Sequence, residues 1–220
     1  MIILIGGEKG GTGKTTIATN LASWLSVGGR DVLLLDADRQ GTARRWCDRR
    51  SDSESLAPVK CVERHGRLAG SVRDLATRFD DVVIDCGGHD SDELRSAMLV
   101  ADVMFIPVQA SMFDLETLGH VSELVYAAQT SNPSLRAMVF VSRAPTNQRS
   151  EEKAAIAALH GILPDYMSAV ETVIHDRRAF RDAAKTGRGV LEWTDTKAKL
   201  EFKAFAAEVI KCATARTEAA

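Results

Sequence analysis

The sequence predicts an α/β fold: a mostly parallel, twisted sheet with helices on both faces, which together form a three-layer sandwich. Short β-branched runs alternate along the chain with segments whose apolar residues recur at helical spacing, a pattern typical of parallel strands joined by crossover helices. The runs VLLL and VVI are apolar without alternation, as expected of strands buried on both faces. A chain of 220 residues, 45% apolar and 26% charged, has the size of one globular domain, and we assign residues 1–220 to it.

The strands are predicted from the apolar, β-branched runs. Their ranges are 1–6, 31–38, 58–63, 81–86, 102–108 and 136–142, with a weaker candidate at 168–174. Helical spacing predicts the helices between them, at 15–29, 41–50, 68–79, 92–101, 115–129 and 151–163. After about residue 175 the pattern is helical only, and helices within about 176–214 are expected to pack on the flank of the domain.

Composition excludes several classes of protein. A formal net charge of −2 gives no general attraction to nucleic acid, so any such surface must be a local patch. The four cysteines form no CxxC pair and are expected to be reduced thiols. The start MIILIGGEKGG lacks the basic region of a signal peptide, and no stretch approaches the ~20 apolar residues of a membrane span. We therefore expect a cytoplasmic protein.

A glycine-rich segment, GGEKGGTGKTT at 6–16, lies between the first strand and the first helix. Its glycines let successive backbone N–H groups point inward, and the helix that follows adds the positive end of its dipole. In such a loop Lys14 can bridge the β- and γ-phosphates of a nucleotide, and the Thr15 hydroxyl can ligate Mg²⁺. An ordinary glycine turn is the alternative, but strand, glycines, Gly-Lys-Thr and helix all occur in the right order. Glu8 stands where the pattern GxxxxGKT has its early glycine. The predicted nucleotide-binding residues here are Lys9, Gly10, Gly11, Thr12, Gly13, Lys14, Thr15 and Thr16.

The segment KGGTGKTT resembles the deviant Walker A motif of the ParA/MinD family of P-loop ATPases. In that family the early lysine reaches across a nucleotide-sandwiched dimer to the phosphates of the partner subunit. The resemblance thus implies a P-loop NTPase fold, ATP and Mg²⁺ as cofactors, a homodimer that forms on ATP binding, and catalytic roles for Lys9 and Lys14. A solvated lysine in a flexible loop is the alternative for Lys9.

Two strands end in carboxylates. DVLLLDADRQG places Asp36 and Asp38 two residues apart, on one side of a strand, and DVVIDCGG ends in Asp85. The resemblance implies that Asp38 orients or activates the attacking water, that Asp36 supports the Mg²⁺ shell and that Asp85 holds Mg²⁺ through water. The predicted metal-site residues are thus Thr15, Asp36, Asp38 and Asp85. Arg39 stands where the family usually has proline. Alternatively, the Asp-x-Asp pair simply ends the strand and caps the helix at 41–50.

Two loops follow the family pattern after their strands. Gly87 and Gly88 suit a loop that moves with the γ-phosphate, and Asp90 or Ser91 is expected to cap the next helix. In DVMFIPVQASMFDLETL we expect Pro107 to end the strand and Asp114 to cap the helix beyond it.

The base-binding residues carry a weaker signal. GTPases have an Asn/Thr-Lys-x-Asp box after the sixth strand, whereas this chain has SRAPTNQRS, so ATP is favoured over GTP. Arg143 and Pro145 lie where relatives place base contacts.

The resemblance extends from Met1 to about Trp193, without a preceding helix-turn-helix, and indicates a short ParA of the ParF or VirC1 type. Such proteins bind DNA without sequence preference in the ATP state, through clustered lysine and arginine. The predicted DNA-binding patch consists of Arg177, Arg178, Arg181, Lys185 and Arg188, followed by Lys197, Lys199 and Lys203. A second basic patch consists of Arg44, Arg45, Arg49 and Arg50. Because acidic residues are interspersed, a solvated helix face is the alternative for the first patch.

The resemblance implies an ATPase, weak and partner-stimulated, that partitions or positions plasmid or chromosomal DNA. It would associate with the nucleoid and act with a ParB-like centromere-binding protein or another activator. The alternative is a VirC1-like recruitment ATPase that acts by protein–protein contacts, in conjugation or in placing a protein complex. A P-loop kinase or synthetase acting on a small molecule is a less favoured third alternative. Membrane targeting is not favoured, because the end of the chain lacks a strong basic and aromatic split.

Overall fold

The computed structural model describes residues 1–109, 115–147 and 149–214. The predicted helix cap Asp114 lies outside these ranges. Within them, no helix combines the length and the hydropathy needed to cross a bilayer.

Eight strands and eight helices are described, together with a short 3-10 turn at Val190–Glu192. The strands are β1 Ile2–Ile5, β2 Val32–Asp36, β3 Lys60–Glu63, β4 Asp81–Asp85, β5 Val103–Val108, β6 Arg136–Ala144, β7 Met167–Ala169 and β8 Ile174–His175. The helices are α1 Lys14–Val27, α2 Thr42–Ser51, α3 Ala69–Ala76, α4 Asp92–Met98, α5 Leu115–Ser131, α6 Arg149–Ile162, α7 Arg178–Ala184 and α8 Thr196–Thr214.

The strands form one sheet in the order β3-β2-β4-β1-β5-β6-β7, and β8 also pairs with β6. Every pairing is parallel. The predicted parallel α/β fold is therefore confirmed. Because β1 lies at the centre, the segment that leaves its carboxyl end emerges where α/β proteins bind ligands.

Two details differ from the prediction. The segment 168–174 divides into β7 and β8, because the amides of Glu171 and Thr172 bond to the carboxylate of Glu208 on α8 instead of a strand. The strand β5 continues one residue past Pro107, because Val108 still pairs with Val141 of β6.

Alternate strand residues face the two sides of the sheet, as the two-residue period of a strand requires. Ile2 and Leu4 lie in a core beneath α3, α4, α5 and α6, whereas Ile3 and Ile5 lie in a core beneath α1, α2, α7 and α8. The three layers thus follow from strands that are apolar at every position.

The helix α8 packs on the same face of the sheet as α1. Phe202 and Phe205 of α8 are fully buried. The ring of Phe205 lies 6.1 Å from that of Phe105 and 4.7 Å from that of Phe140, both on central strands. These aromatic contacts make the C-terminal helix part of the core.

We expect Phe205→Ala to lower the free energy of unfolding by about 3–5 kcal/mol, because it leaves a cavity between α8 and the sheet. Leu200→Ala on the same helix is the matched control, since Leu200 is 65% exposed and should cost under about 1 kcal/mol. Urea unfolding of both variants measures the difference, and equal losses would show that α8 is not part of the core.

Candidate functional site

The segment that follows β1 adopts a backbone that needs glycine. Gly11 and Gly13 have φ of +77° and +93°, a region that side chains with Cβ rarely adopt. Gly13 precedes α1, whose first turn has neither a side-chain cap nor an acidic residue. The N–H groups at the start of α1 are therefore available to an anion.

Lys14 is buried within this phosphate loop. Its ammonium donates a hydrogen bond to the carbonyl of Lys9 at 2.6 Å. Burial lowers the pKa of Lys14, while the carboxylates of Asp85 and Asp38 act in the opposite direction. The side chain predicted to bridge the phosphates thus lies beside the predicted metal and water ligands.

Asp85 ends β4 and is fully buried. Neither of its carboxylate oxygens has a hydrogen-bond partner in the part of the chain that the structure describes. Burial raises the pKa of Asp85 to about 8; the neighbouring Thr15 hydroxyl opposes this shift, and the carboxylates of Asp36 and Asp38 add to it. A buried carboxylate with unused acceptors beside a threonine hydroxyl suits a hard divalent cation.

Asp36 and Asp38 occupy different environments. Asp36 is buried, and its two oxygens accept the backbone N–H groups of Asp38 at 3.1 Å and Arg44 at 2.8 Å. It therefore holds the turn after β2 and caps α2, as the alternative interpretation states, while its metal role stays a prediction. Asp38 is half-buried and accepts the N–H of Gln40 at 2.9 Å.

The loops after β2 and β4 close tightly on the phosphate loop. A Cβ at Gly88 would lie 2.9 Å from both the backbone nitrogen of Gly10 and the ammonium of Lys14. A Cβ at Gly87 would lie 3.6 Å from the carboxylate of Asp38. The glycine pair thus allows this loop to lie directly against the phosphate loop.

A cleft of about 510 Å³ opens beside the loop, which is within the range of small-molecule sites. One wall consists of the phosphate loop and the turn after β2, and the other comes from β6, β8 and α7. Its lining residues include Gly10, Gly11, Gly13, Lys14, Thr15, Thr16, Asp38, Gly88, Ser142, Arg143, Ile174, His175, Asp176, Arg177, Phe180 and Arg181.

Most of the predicted site residues meet in this cleft. Lys9 and Thr12 belong to the loop beside it, where the Thr12 hydroxyl donates to the carbonyl of Lys9 at 3.4 Å. Arg143 lines the cleft, whereas Pro145 is half-buried and is not among the lining residues described. Base contacts by these two residues stay a prediction.

The predicted DNA-binding residues of α7 and its flanks divide between cleft and surface. Arg177 and Arg181 line the cleft, whereas Arg178 and Lys185 are strongly exposed. Four of the cations pair with carboxylates: Arg177 with Glu201 at 2.9 Å, Arg178 with Asp182 at 2.9 Å, Arg181 with Asp176 at 2.5 Å and Lys185 with Asp182 at 2.9 Å. Arg188 is half-buried.

One member of the second basic patch does not lie on the surface. Arg50 is buried against Glu192, with a 2.8 Å ion pair, and bonds to the carbonyls of Ala57 and Gly187. Its inclusion in a surface patch is wrong, because the guanidinium fastens α2 to the segment that follows α7. Arg44 pairs with Asp48 at 2.8 Å.

Sequence reasoning missed the apolar wall of the cleft and one polar cluster. Ile174 is the last residue of the weakest strand signal of the chain, and Phe180 lies in the helical stretch that follows it. The Oε1 atom of Glu8 lies 3.1 Å from the Nε2 atom of His120 on α5. The sequence indicated this contact only by having glutamate at position 8, where the loop pattern has glycine.

Residues 1–159 match the family described as ATPase MipZ. This chain belongs to the MipZ family of ATPases. The match covers the phosphate loop and both carboxylate strands, so the resemblance to ParA/MinD-type P-loop ATPases is confirmed. As a MipZ-family ATPase, the protein binds nucleotide and hydrolyses ATP.

Named relatives of this MipZ-family ATPase cover most of its length. It is 30% identical over 187 residues to the maintenance of carboxysome distribution protein A of Halothiobacillus neapolitanus, covering 84% of this chain and 83% of that protein. It is 30% identical over 196 residues to protein virC1 of Rhizobium rhizogenes, covering 84% and 80%. The solved structure of a Cyanothece McdA–ATP complex is 18% identical, with a TM-score of 0.70 over 94% of this chain and 95% of that chain. At that identity the last comparison shows the fold alone.

The pKa of Asp85 predicts a pH dependence of stability. Because its pKa is higher in the folded chain than in the unfolded chain, the unfolded chain releases this proton first as pH rises. The free energy of unfolding should therefore fall between about pH 4 and pH 8, by on the order of 5 kcal/mol from this group.

Asp85→Asn should remove this pH-dependent part of the free energy of unfolding. Asp52→Asn, at an exposed aspartate, should keep it. Urea unfolding at several pH values, in buffer with a chelator, measures the slope. Equal slopes for the wild type and Asp85→Asn would contradict burial as the cause of the shift.

Proposed function

We propose that this chain is an ATP-dependent dimerising switch that partitions or positions plasmid or chromosomal DNA. The observation that carries the proposal is that the phosphate loop contains two lysines, Lys9 and Lys14. The side chain of Lys14 is buried inside this loop. Lys14 bonds to the carbonyl of Lys9, which supports a place for Lys9 in the same phosphate-binding loop. In this proposal Lys9 is a second cation at the edge of the loop, where it contacts a nucleotide bound by the partner subunit.

The chemistry is assigned residue by residue. Lys14 and the N–H groups at the start of α1 bind the phosphates, and Lys9 of one subunit offsets charge at the γ-phosphate bound to the other. Asp38 orients the attacking water from the half-buried edge of the cleft. Mg²⁺, when bound, would offset phosphate charge.

The residues that would hold Mg²⁺ are Thr15 and Asp85, with Asp36 in support. The unpartnered oxygens of Asp85 beside Thr15 support this assignment. No cluster of three or more His, Cys, Asp or Glu ligands occurs among the described residues, which suits a cation held mainly by phosphate, hydroxyl and water.

DNA binding in the ATP state is assigned to the exposed cations of α7 and its flank. Their carboxylate partners do not forbid it, because exposed ion pairs are worth ~0–1 kcal/mol and phosphates can replace them. Such binding would place the protein on the nucleoid, and a ParB-like centromere-binding protein or another activator would stimulate its weak hydrolysis.

A second candidate function is recruitment through protein–protein contacts. Two relatives that each cover over four fifths of this chain favour it: one is named for carboxysome distribution, and the other is protein virC1. In this case the ATP state would position a protein complex without requiring DNA contacts.

The two-lysine assignment predicts opposite behaviour for two variants. Lys9→Ala should bind ATP but neither dimerise nor hydrolyse it, whereas Asp38→Ala should bind ATP and accumulate as a dimer. Lys14→Ala, which loses ATP binding altogether, is the control. Light scattering with ATP measures the mass, and equal behaviour of Lys9→Ala and Asp38→Ala would refute a lysine that acts in trans.

Charge reversal on α7 and its flank tests the DNA assignment. Arg178→Glu with Lys185→Glu should reduce co-sedimentation with DNA in ATP by tenfold or more, because both cations are exposed. Lys153→Glu on α6 is the matched control, since α6 covers the opposite face of the sheet. Co-sedimentation that is absent from the wild type in both ATP and ADP would favour the recruitment function.

A further inference from the structure

Arg143 has a backbone conformation that its residue type disfavours. Its φ of +55° makes it the one non-glycine residue with positive φ in the part of the chain that the structure describes. It lies in β6 where the pairing with β8 shifts register, between Ser142 and Ala144. Such a conformation persists only where the surroundings hold it, and it occurs preferentially at functional sites.

The Arg143 side chain reaches across the cleft to the phosphate loop. Its Nη1 atom donates a hydrogen bond to the carbonyl of Gly11 at 2.6 Å, and the side-chain amide of Gln109 donates to the same carbonyl at 3.0 Å. Gly11 is one of the two loop glycines with left-handed φ. Two donors from neighbouring strands thus fix the orientation of one peptide group in the phosphate loop.

This orientation determines where the next N–H points. In a trans peptide the C=O and the N–H point in opposite directions. Holding the carbonyl of Gly11 towards Arg143 therefore also fixes the direction of the N–H of Thr12, which lies at the opposite edge of the same peptide plane.

A carboxylate holds the far side of the guanidinium. The Nη2 atom of Arg143 lies 3.3 Å from Asp176. The backbone N–H of Asp176 bonds to the carbonyl of Ala144 at 2.9 Å, and its other carboxylate oxygen pairs with Arg181 of α7 at 2.5 Å. The guanidinium is therefore clamped between the phosphate loop and the start of α7.

We propose that Arg143 is a positioning residue of the phosphate loop: it fixes the peptide group between Gly11 and Thr12 through the Gly11 carbonyl, and Asp176 holds the guanidinium in place. This proposal rests on the nucleotide site of the ATPase and is independent of dimerisation and of DNA. It differs from a base contact in one measurable respect, because a positioning residue affects every ligand that carries the phosphate chain.

The test is competition of ATP, GTP and inorganic tripolyphosphate against a fluorescent ATP analogue bound to the full chain. Arg143→Ala should weaken all three by a similar factor, about 5- to 20-fold, because a charge-assisted hydrogen bond is lost. Arg78→Ala is the matched control, since Arg78 is also exposed and ion-paired, with Asp74 at 3.0 Å, but lies outside the cleft. Weakening of ATP with unchanged tripolyphosphate would overturn the proposal in favour of a base contact, and so would no change at all.

Two further variants separate the side chain from the backbone. Arg143→Gly relieves the strain of the positive φ, so it should unfold at a higher temperature than Arg143→Ala. Because it also lacks the guanidinium, it should bind ATP and tripolyphosphate as weakly as Arg143→Ala does. Restored binding in Arg143→Gly would overturn the proposal. Arg143→Lys should recover part of the affinity, because one ammonium cannot reach both Gly11 and Asp176.

A double-mutant cycle tests the clamp. Asp176→Asn should weaken tripolyphosphate binding in the wild type but add little in the Arg143→Ala background, because the carboxylate acts through the guanidinium. Strict additivity of the two losses would refute the role of Asp176.

Discussion

A lysine and an aspartate buried close together at the carboxyl edge of the sheet are the constraint on which the site depends. Burial disfavours the charged form of each, which lowers the pKa of Lys14 and raises that of Asp85 to about 8. The fold keeps both groups out of water with incomplete compensation: the Asp85 oxygens have no hydrogen-bond partner among the described residues. In the proposed site a phosphate chain and a cation would supply the missing opposite charges, and nucleotide binding would then stabilise this part of the fold.

The geometry of the loops follows from this charge pair. Asp85 ends the strand next to β1, and the Gly87–Gly88 segment that follows it lies directly over the phosphate loop. No side chain fits there, because a Cβ at Gly88 would reach the backbone of Gly10 and the ammonium of Lys14. Asp38 closes the site from the turn after β2. Two loops, from the neighbouring strands β2 and β4, therefore meet beside the phosphate loop.

The opposite wall of the cleft links the nucleotide to α7. Arg143 contacts Gly11 on one side and Asp176 on the other, and Asp176 also pairs with Arg181. The buried pair of Arg50 and Glu192 fastens the end of α2 to the segment after α7. The cationic helix is thus joined both to the phosphate loop and to the helix that follows Asp38. The proposed dependence of contacts on nucleotide state would act through this connection.

Local sequence determined the elements and the chemistry of the phosphate loop. Apolar runs, helical spacing and the order of glycines, lysine and threonine act over a few residues, so the parallel sheet could be predicted without a structure, and Lys14, Thr15 and Asp85 could be named as candidate site residues. Only the tertiary structure determines the position and the partners of each arginine side chain. Arg50 and Arg177 stand in similar basic runs, yet one is buried against Glu192 and the other lines the cleft. Arg143 meets Gly11 across 132 positions of sequence. The contribution of such a side chain depends on its burial and its partner, and both are set by how distant segments pack.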